Sequence, residues 1–429
     1  MHFSCLPNEL QCEIFYHSLP INSLARFSKA EAPLVLLSVC KAWRALTLST
    51  SKIWSHFEIY LSGKCRPEDE QRVLEGVQFW LRLSKVYPLS VNLTCEPPQQ
   101  GSRVVSEILS LLLAQHRRLR HLELSVPSTY LEPLFASAHD FPILTSFAID
   151  TRGVWSTTKT LDICALGINW SQLTNLYIGL DPCQSIGLDE CLDILTESIN
   201  LSSCVLNAKA TFNGDVHRDL ERISLPTLSR LHLILHDPGN YGETEEPTFS
   251  LVSFLDKLDP SMLEAFQIEW LVHSWVGNEV WENCHVMFMS FLERLRPTLL
   301  SLHLSYLPMS EVHLTQCLSM TPFLNHVDLR FNAGDEMNDP ISDDLLKALT
   351  YKSFRSTLLP CAQSINLQCS GKKCSPSAVA ELIDSRTTPK ELGFREFKMM
   401  TYSRLSYETG SLCRWESEGV DVAFDYIHF

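Results

Sequence analysis

A leucine-centred pattern recurring along most of the chain constrains the fold more than any other feature. Leu119-x-x-Leu122-x-Leu124 is followed by Leu144-x-x-Phe147-x-Ile149, Leu173-x-x-Leu176-x-Ile178, Leu201-x-x-Cys204-x-Leu206 and Leu228-x-x-Leu231-x-Leu233. Three more follow: Leu263-x-x-Phe266-x-Ile268, Leu299-x-x-Leu302-x-Leu304 and Leu324-x-x-Val327-x-Leu329. The starts lie 25, 29, 28, 27, 35, 36 and 25 residues apart, a period that suits one short strand and one returning helix per repeat. Taken singly the pattern is weak. Ten matches occur where chance gives roughly five in so leucine-rich a chain, so spacing and the content of the gaps carry the argument. The gaps at 188–199, 250–258, 280–296, 310–320 and 343–354 read as amphipathic helices. A strand and helix repeated about eight times is one supersecondary unit stacked on itself. The expected fold class is α/β, an irregular solenoid of parallel strands backed by helices. A single α/β domain whose buried strands all favour Leu and Ile is the other architecture the pattern allows.

The stretch before the repeats has a different character. Pro7 reads as a first helical position, where its fixed φ helps and its missing N–H costs nothing. Leu10, Ile14 and Phe15 then share a helical face. After a connection from Pro20 to Pro33, a second apolar helix is expected from Leu34, turning Val39, Ala42, Trp43 and Leu46 inward, with Ile53 and Trp54 closing the unit. So small a module cannot bury all these side chains by itself. Some must face a partner or the next domain.

The order Leu6-Pro7, a glutamate, Ile14-Phe15, then Ser38-Val39-Cys40-Lys41-Ala42-Trp43-Arg44 and Trp54 resembles an F-box. The connection from Leu19 to Ala32 is longer than in the commonest pattern and is similar to that of a large class of fungal F-box proteins. The resemblance implies docking on a Skp-type adaptor, and through it on a cullin scaffold. Leu6, Pro7, Leu10, Ile14, Phe15, Val39, Cys40, Trp43 and Trp54 would then make or support the adaptor contact. A helical hairpin that merely caps the next domain satisfies the same apolar spacing.

The expected organisation is a helical F-box module at 1–60, linking helices and a first strand at 61–118, a leucine-rich-repeat-like solenoid at 119–370 and a capping segment at 371–429. Within the linker, 66–84 and 103–118 read as helices and 86–94 as a strand. Toward the end, Ala362-x-x-Ile365-x-Leu367 suggests one more strand, 377–384 a helix, and 394–400 and 420–424 edge strands.

Charge and cysteine usage narrow the partners. The net charge of −15 repels phosphate backbones, so no nucleic acid is expected. No apolar run approaches the roughly 20 residues of a membrane span. Fifteen cysteines scattered through apolar runs behave as small hydrophobes, and the acidic start lacks the apolar core of a signal peptide. The expected compartment is cytoplasm or nucleus. No nucleophile, phosphate-loop or dinucleotide motif is present, and Cys361, Cys369 and Cys374 lack the spacing of a closed zinc site. No enzyme activity, metal or cofactor is expected.

The middle position between the last two inward residues of each repeat holds Glu123, Ala148, Tyr177, Val205, His232, Gln267, His303 and Asp328. Ser125, Asp150, Asn207, Glu269, Ser305 and Arg330 flank it. In a solenoid these line one continuous concave face, the usual protein-binding surface of such arrays. Glu123, Tyr177, His232, Gln267, His303, Asp328 and Arg330 are the candidate contacts for an unidentified protein substrate. Trp270, Trp275 and Trp281, together with the loop 240–247, are further candidates on a rim. The expected role is substrate recognition in a Skp-cullin-F-box ubiquitin ligase; a non-catalytic repeat scaffold or inhibitor is the alternative.

Overall fold

Successive strand residues point to opposite sides of a sheet, and in this chain one side is apolar in nearly every strand. Phe57, Ile59 and Leu61 alternate inward in the first, Leu122 and Leu124 in the third, and Leu302 and Leu304 further on, all between 0% and 2% exposed. In the computed structural model the described residues are 6–20, 24–96, 102–136, 140–151, 161–212, 221–237, 246–272, 278–331, 339–387, 392–402 and 409–426. They fall into two compact units, Met1–Ser185 and Ile186–Phe429.

The first unit opens with helices α1 (Asn8–His17), α2 (Leu36–Val39) and α3 (Lys41–Ser49). Strands β1 (His56–Leu61), β2 (Leu89–Cys95), β3 (Leu119–Ser125), β4 (Ser146–Asp150) and β5 (Asn175–Gly179) follow, each paired in parallel with the next in chain order. Parallel neighbours need a crossover. Helix α4 (Pro67–Ser84) supplies the first, with Pro67 at its start and Glu68, Asp69 and Glu70 complementing its positive end. Helices α5 (Arg103–Leu113) and α6 (Glu132–Ala136) continue the layer. Irregular chain and short 3-10 turns replace a helix between β4 and β5 among the described residues.

The second unit repeats the plan with more helix. Strands β6 (Ser203–Lys209), β8 (Arg230–His236), β10 (Ala265–Leu271), β11 (Ser301–Ser305), β12 (His326–Arg330), β13 (Ser364–Cys369), β14 (Glu396–Thr401) and β15 (Asp421–Tyr426) lie side by side in that order, all parallel. The two-residue strands β7 (Ile223–Ser224) and β9 (Leu258–Asp259) form a separate small ladder. Helices α7 (Leu188–Glu197), α8 (Pro247–Asp256), α9 (Asn278–Leu295) and α10 (Glu311–Met320) pack each on the next. Helices α11 (Asp343–Leu349), α12 (Pro376–Thr387) and α13 (Thr409–Ser417) do the same toward the end. α/β architecture with parallel strands in chain order is thus observed.

Two expectations about the elements change and a third holds. A strand at His56–Leu61 precedes the first one expected, at 86–94, because Phe57-x-Ile59-x-Leu61 pairs with β2 although no leucine opens it. The strands expected at 394–400 and 420–424 are present as β14 and β15 and extend the ladder in register. The continuous helix expected from Leu34 is broken at Cys40, whose extended backbone (φ −158°, ψ 170°) ends α2 and lets its Sγ accept the Trp43 N–H at 3.4 Å as the cap of α3.

One buried cation holds the later crossovers together. Arg386 on α12 is 1% exposed and has no carboxylate partner among its hydrogen bonds. Its Nε and Nη2 donate to the Leu349 carbonyl, the last of α11, at 3.0 and 2.6 Å. Nη1 reaches Leu359 O at 3.0 Å and Nη2 reaches Leu358 O at 2.9 Å, where Leu359 takes a left-handed φ of 54°. Burial pulls the guanidinium down to about 10, still charged at neutral pH. The Leu349 carbonyl, at the end of α11, has no later helical donor and needs one from elsewhere. Arg386→Leu is therefore expected to lower the stability of this unit by about 3 kcal/mol or more, read as an earlier urea midpoint with the secondary structure otherwise retained.

Candidate protein-docking surfaces

The N-terminal helices divide their apolar residues between two sides. On α1, Gln11 and Phe15 are buried at 8% and 1%, while Leu10 and Ile14 remain 52% and 45% exposed. Pro7, immediately before the helix, is exposed as well. Positions 7, 10 and 14 follow the i, i+3, i+7 spacing of one helical stripe, so an apolar strip faces solvent. Pro7 sits at the cap, not at the first helical position, and its φ of −52° still suits the turn. Val39, expected inside, is 53% exposed, and Ala42 is exposed too, because the break at Cys40 turns the end of α2 outward. Leu6 and Trp43 are half-buried, and Cys40 is exposed.

Two of the expected contact residues belong to the interior. Phe15 packs against Trp43 with ring centroids 4.9 Å apart. Trp54 is fully buried, donates from Nε1 to Thr47 O at 2.9 Å, and meets the edges of Phe79 and Trp80 at 5.6 and 5.3 Å. Neither is available to a partner; both anchor the helices. Phe27 joins the same cluster through Trp80 and Phe57. Ala25 bridges to Phe57, with the Glu58 N–H on the Ala25 carbonyl at 2.9 Å. The module is thereby joined to β1.

The second surface is the sheet face turned away from the inward apolar residues. Register places Glu58, Asn92, Glu123, Ala148 and Tyr177 in one row of the first unit. Tyr177 donates its hydroxyl to Asp150 at 3.0 Å, and its ring lies where a Cβ on Gly179 would sit, 2.7 Å from the nearest ring atom. Glu123 is held above the ordinary carboxylate range by desolvation and by the negative charges of Glu58 and Asp150.

In the second unit the row runs Val205, His232, Gln267, His303, Asp328, Asn366, Lys398, Ala423. A parallel row holds Asn207, Ile234, Glu269, Ser305, Arg330, Gln368, Met400 and Asp425. Contacts between these groups run both across strands and along them. His232 Nε2 meets Glu269 Oε1 at 3.0 Å, and that hydrogen bond draws the carboxyl below its usual range. His303 lies 2.6 Å from Ser305 Oγ and 3.4 Å from Asp328 Oδ2. Arg330 grips Asp328 with Nε and Nη2 at 3.0 and 2.8 Å, the forked geometry that a guanidinium offers a carboxylate. The candidate residues His232, Gln267, His303, Asp328 and Arg330 therefore share one face, as Glu123 and Tyr177 do in the other unit.

Asn366, Gln368 and Lys398 belong to this face but escaped the sequence reading. Their repeat opens on Ala362 and the next on no leucine triplet, so the only available signal was the spacing of Ile365 and Leu367. Trp270 and Trp281 are core residues, 4% and 0% exposed. Trp275 and the loop at 240–245 lie outside the described residues. Among the described residues no helix is long and apolar enough to cross a membrane, and no group of three or more His, Cys, Asp or Glu side chains is arranged to hold a metal ion. No protein-family model matches the chain. No curated protein matches it either.

Removing Trp54 as alanine is expected to cost the first unit about 3–5 kcal/mol, as buried tryptophans do, measured by denaturant unfolding. His303 offers a pH test. Burial holds its pKa below the ordinary 6.5, with Asp328 opposing and Arg330 adding to the shift. A depressed folded value means the unfolded chain binds the proton more readily. Stability is then lost as pH falls from the ordinary histidine value toward the folded one, and is level below it. Asp328→Asn removes the opposing carboxylate and releases Arg330, so the His303 imidazole should titrate lower still by NMR.

Proposed function

We propose that this protein is the substrate-recognition subunit of a Skp-cullin-F-box ubiquitin ligase, with leucine-rich-repeat-like units behind an F-box-like helical module. The observation that carries this reading is the exposed strip of Pro7, Leu10 and Ile14, backed by buried Gln11 and Phe15. A helix serving only its own unit gains nothing from presenting such a strip to water, whereas each large side chain covered by a partner gains about 1.5–3 kcal/mol when fully buried. Val39 adds a further exposed apolar side chain from α2. The hydrogen-bonded rows on the open sheet face supply the surface for a protein substrate. The subunit performs no bond chemistry under this reading. It raises the effective concentration of substrate near the ubiquitin carrier by tethering.

One observation favours a second reading. The bridge from Ala25 to Phe57 and the packing of Trp54 on Trp80 tie the helices to the strand stack, as a cap would be tied. A scaffold or inhibitor with capped repeats would share that feature. The two part at the adaptor. The intact chain is expected to co-purify with a Skp-type adaptor, and the triple variant Leu10→Ser, Ile14→Ser, Val39→Ser to bind at least about 100-fold more weakly with an unchanged thermal midpoint. Failure of the folded intact chain to bind any Skp-type adaptor would leave the capped scaffold as the better account.

A further inference from the structure

Helices α9 and α10 meet through two buried histidines. His285 on α9 and His313 on α10 are 7% and 5% exposed, and their rings stack with centroids 4.4 Å apart at an interplanar angle of 35°. The partners of each ring fix where its single proton sits. Gln316 Oε1 can only accept, so His285 Nε2, 2.6 Å away, carries the proton and donates. The Ser310 N–H at the cap of α10 donates to His313 Nδ1 at 3.4 Å, so His313 Nε2 carries the proton and donates to Glu282 Oε2 at 2.9 Å. That leaves His285 Nδ1 as a bare lone pair. It is sealed in the seam with no hydrogen-bond partner among the described residues. One turn further along both helices, Cys317 Sγ meets Met289 Sδ at 3.7 Å and continues the seam.

A sealed lone pair costs far less there than a charged N–H would. A proton on Nδ1 would make His285 a cation with no acceptor for its new N–H, stacked on a second imidazole. Burial accordingly holds the His285 imidazole below its ordinary 6.5; the Gln316 hydrogen bond and the Glu282 carboxylate oppose that shift, and His313 adds to it. The other charged groups on the neighbouring elements are turned elsewhere. Glu246, just ahead of α8, bears on Cys284, and Asp256 at the end of α8 is engaged by Arg222 and Arg294. Glu311 on α10 accepts from Ser342 at 2.7 Å. The sheet presents its apolar side to α9, with Phe266 and Phe291 ring centroids 5.2 Å apart. Once the helices part, His285 is an ordinary histidine and takes up a proton below about pH 6.5. The open form then binds a proton that the closed form refuses, so the closed form loses ground as pH falls from that value.

We infer that the seam between α9 and α10 is an acid-sensitive joint, closed while His285 and His313 are both neutral and parted when His285 takes a proton. The inference goes beyond the proposed ligase role and does not rest on it. In chain order the strand between the two helices is β11, which carries His303, so the joint belongs to the layer that backs the open face. The full-length chain is followed by hydrogen exchange with mass-spectrometric detection from pH 7.5 to pH 5.0, each rate divided by the intrinsic rate at that pH. If only the open form takes up one proton, opening is about 30-fold more frequent at pH 5.0 than at pH 7.5. Protection over residues 278–295 and 311–320 is therefore expected to fall by about tenfold to 30-fold, while that over 376–387 changes by less than about threefold. The fall should vanish in His285→Gln and in His285→Leu, and persist in His303→Gln. Either His285 variant suffices if the other does not fold. No fall in the wild-type chain, an equal fall in all three segments, a fall that survives in a folded His285 variant, or one abolished by His303→Gln would overturn the assignment.

Discussion

Everything described here depends on the parallel register of the inward apolar residues. Leu231, Phe266, Leu302, Val327, Ile365 and Phe397 occupy matched positions on successive strands, and Leu233, Ile268, Leu304, Leu329, Leu367 and Met399 form the next level. None of these twelve exceeds 3% exposure. A slip of one residue would carry a whole strand's apolar set to the polar side, so register is fixed by burial and not by the outward residues. Those outward residues are consequently free to vary, yet still arrive in straight rows. The candidate surface is a by-product of the core's order.

The same constraint bears on β1 in the first unit and on β15 in the second. An edge strand leaves a row of backbone groups unpaired and open to other chains. At β1 the chain covers part of that edge itself, through Ala25 and the Phe27, Phe57 and Trp80 cluster, and so the N-terminal helices are held by the strands they precede. At β15 the device is different: Asp421 and Asp425 are exposed along the last strand, and charge on an edge discourages a second chain from pairing there. Each of these strands is guarded within its own unit.

Much of the fold was legible because helices announce themselves at their ends and strands by alternation. Helix α4 was signalled by Pro67 and three acidic residues, and α10 by Ser310, whose Oγ accepts the His313 N–H at 3.3 Å. β1 was not, since its inward set of Phe57, Ile59 and Leu61 carries no opening leucine and abuts a tryptophan that resembled the end of another module. The break at Cys40 was hidden because a thiol is an uncommon cap, and nothing in the apolar run around it marks the extended backbone. For the surface, the spacing located His232, His303 and Asp328 on one face. It could not foretell that His232 meets Glu269, because such a fact arises between strands distant in sequence.

The pairing pattern on the second unit's open face bears on how any partner would be selected. Although the chain carries a net charge of −15, several ionised groups on this face are paired at short range: Arg330 with Asp328 and Lys398 with Glu396, while Glu269 is hydrogen-bonded to His232. Fields from such pairs fade within a Debye length of about 8 Å at physiological salt. Long-range steering toward this face is therefore weak, and discrimination falls on hydrogen-bond geometry at contact. An unmatched donor or acceptor buried there loses more than a matched one gains. A surface of this kind rejects wrong partners more effectively than it attracts right ones.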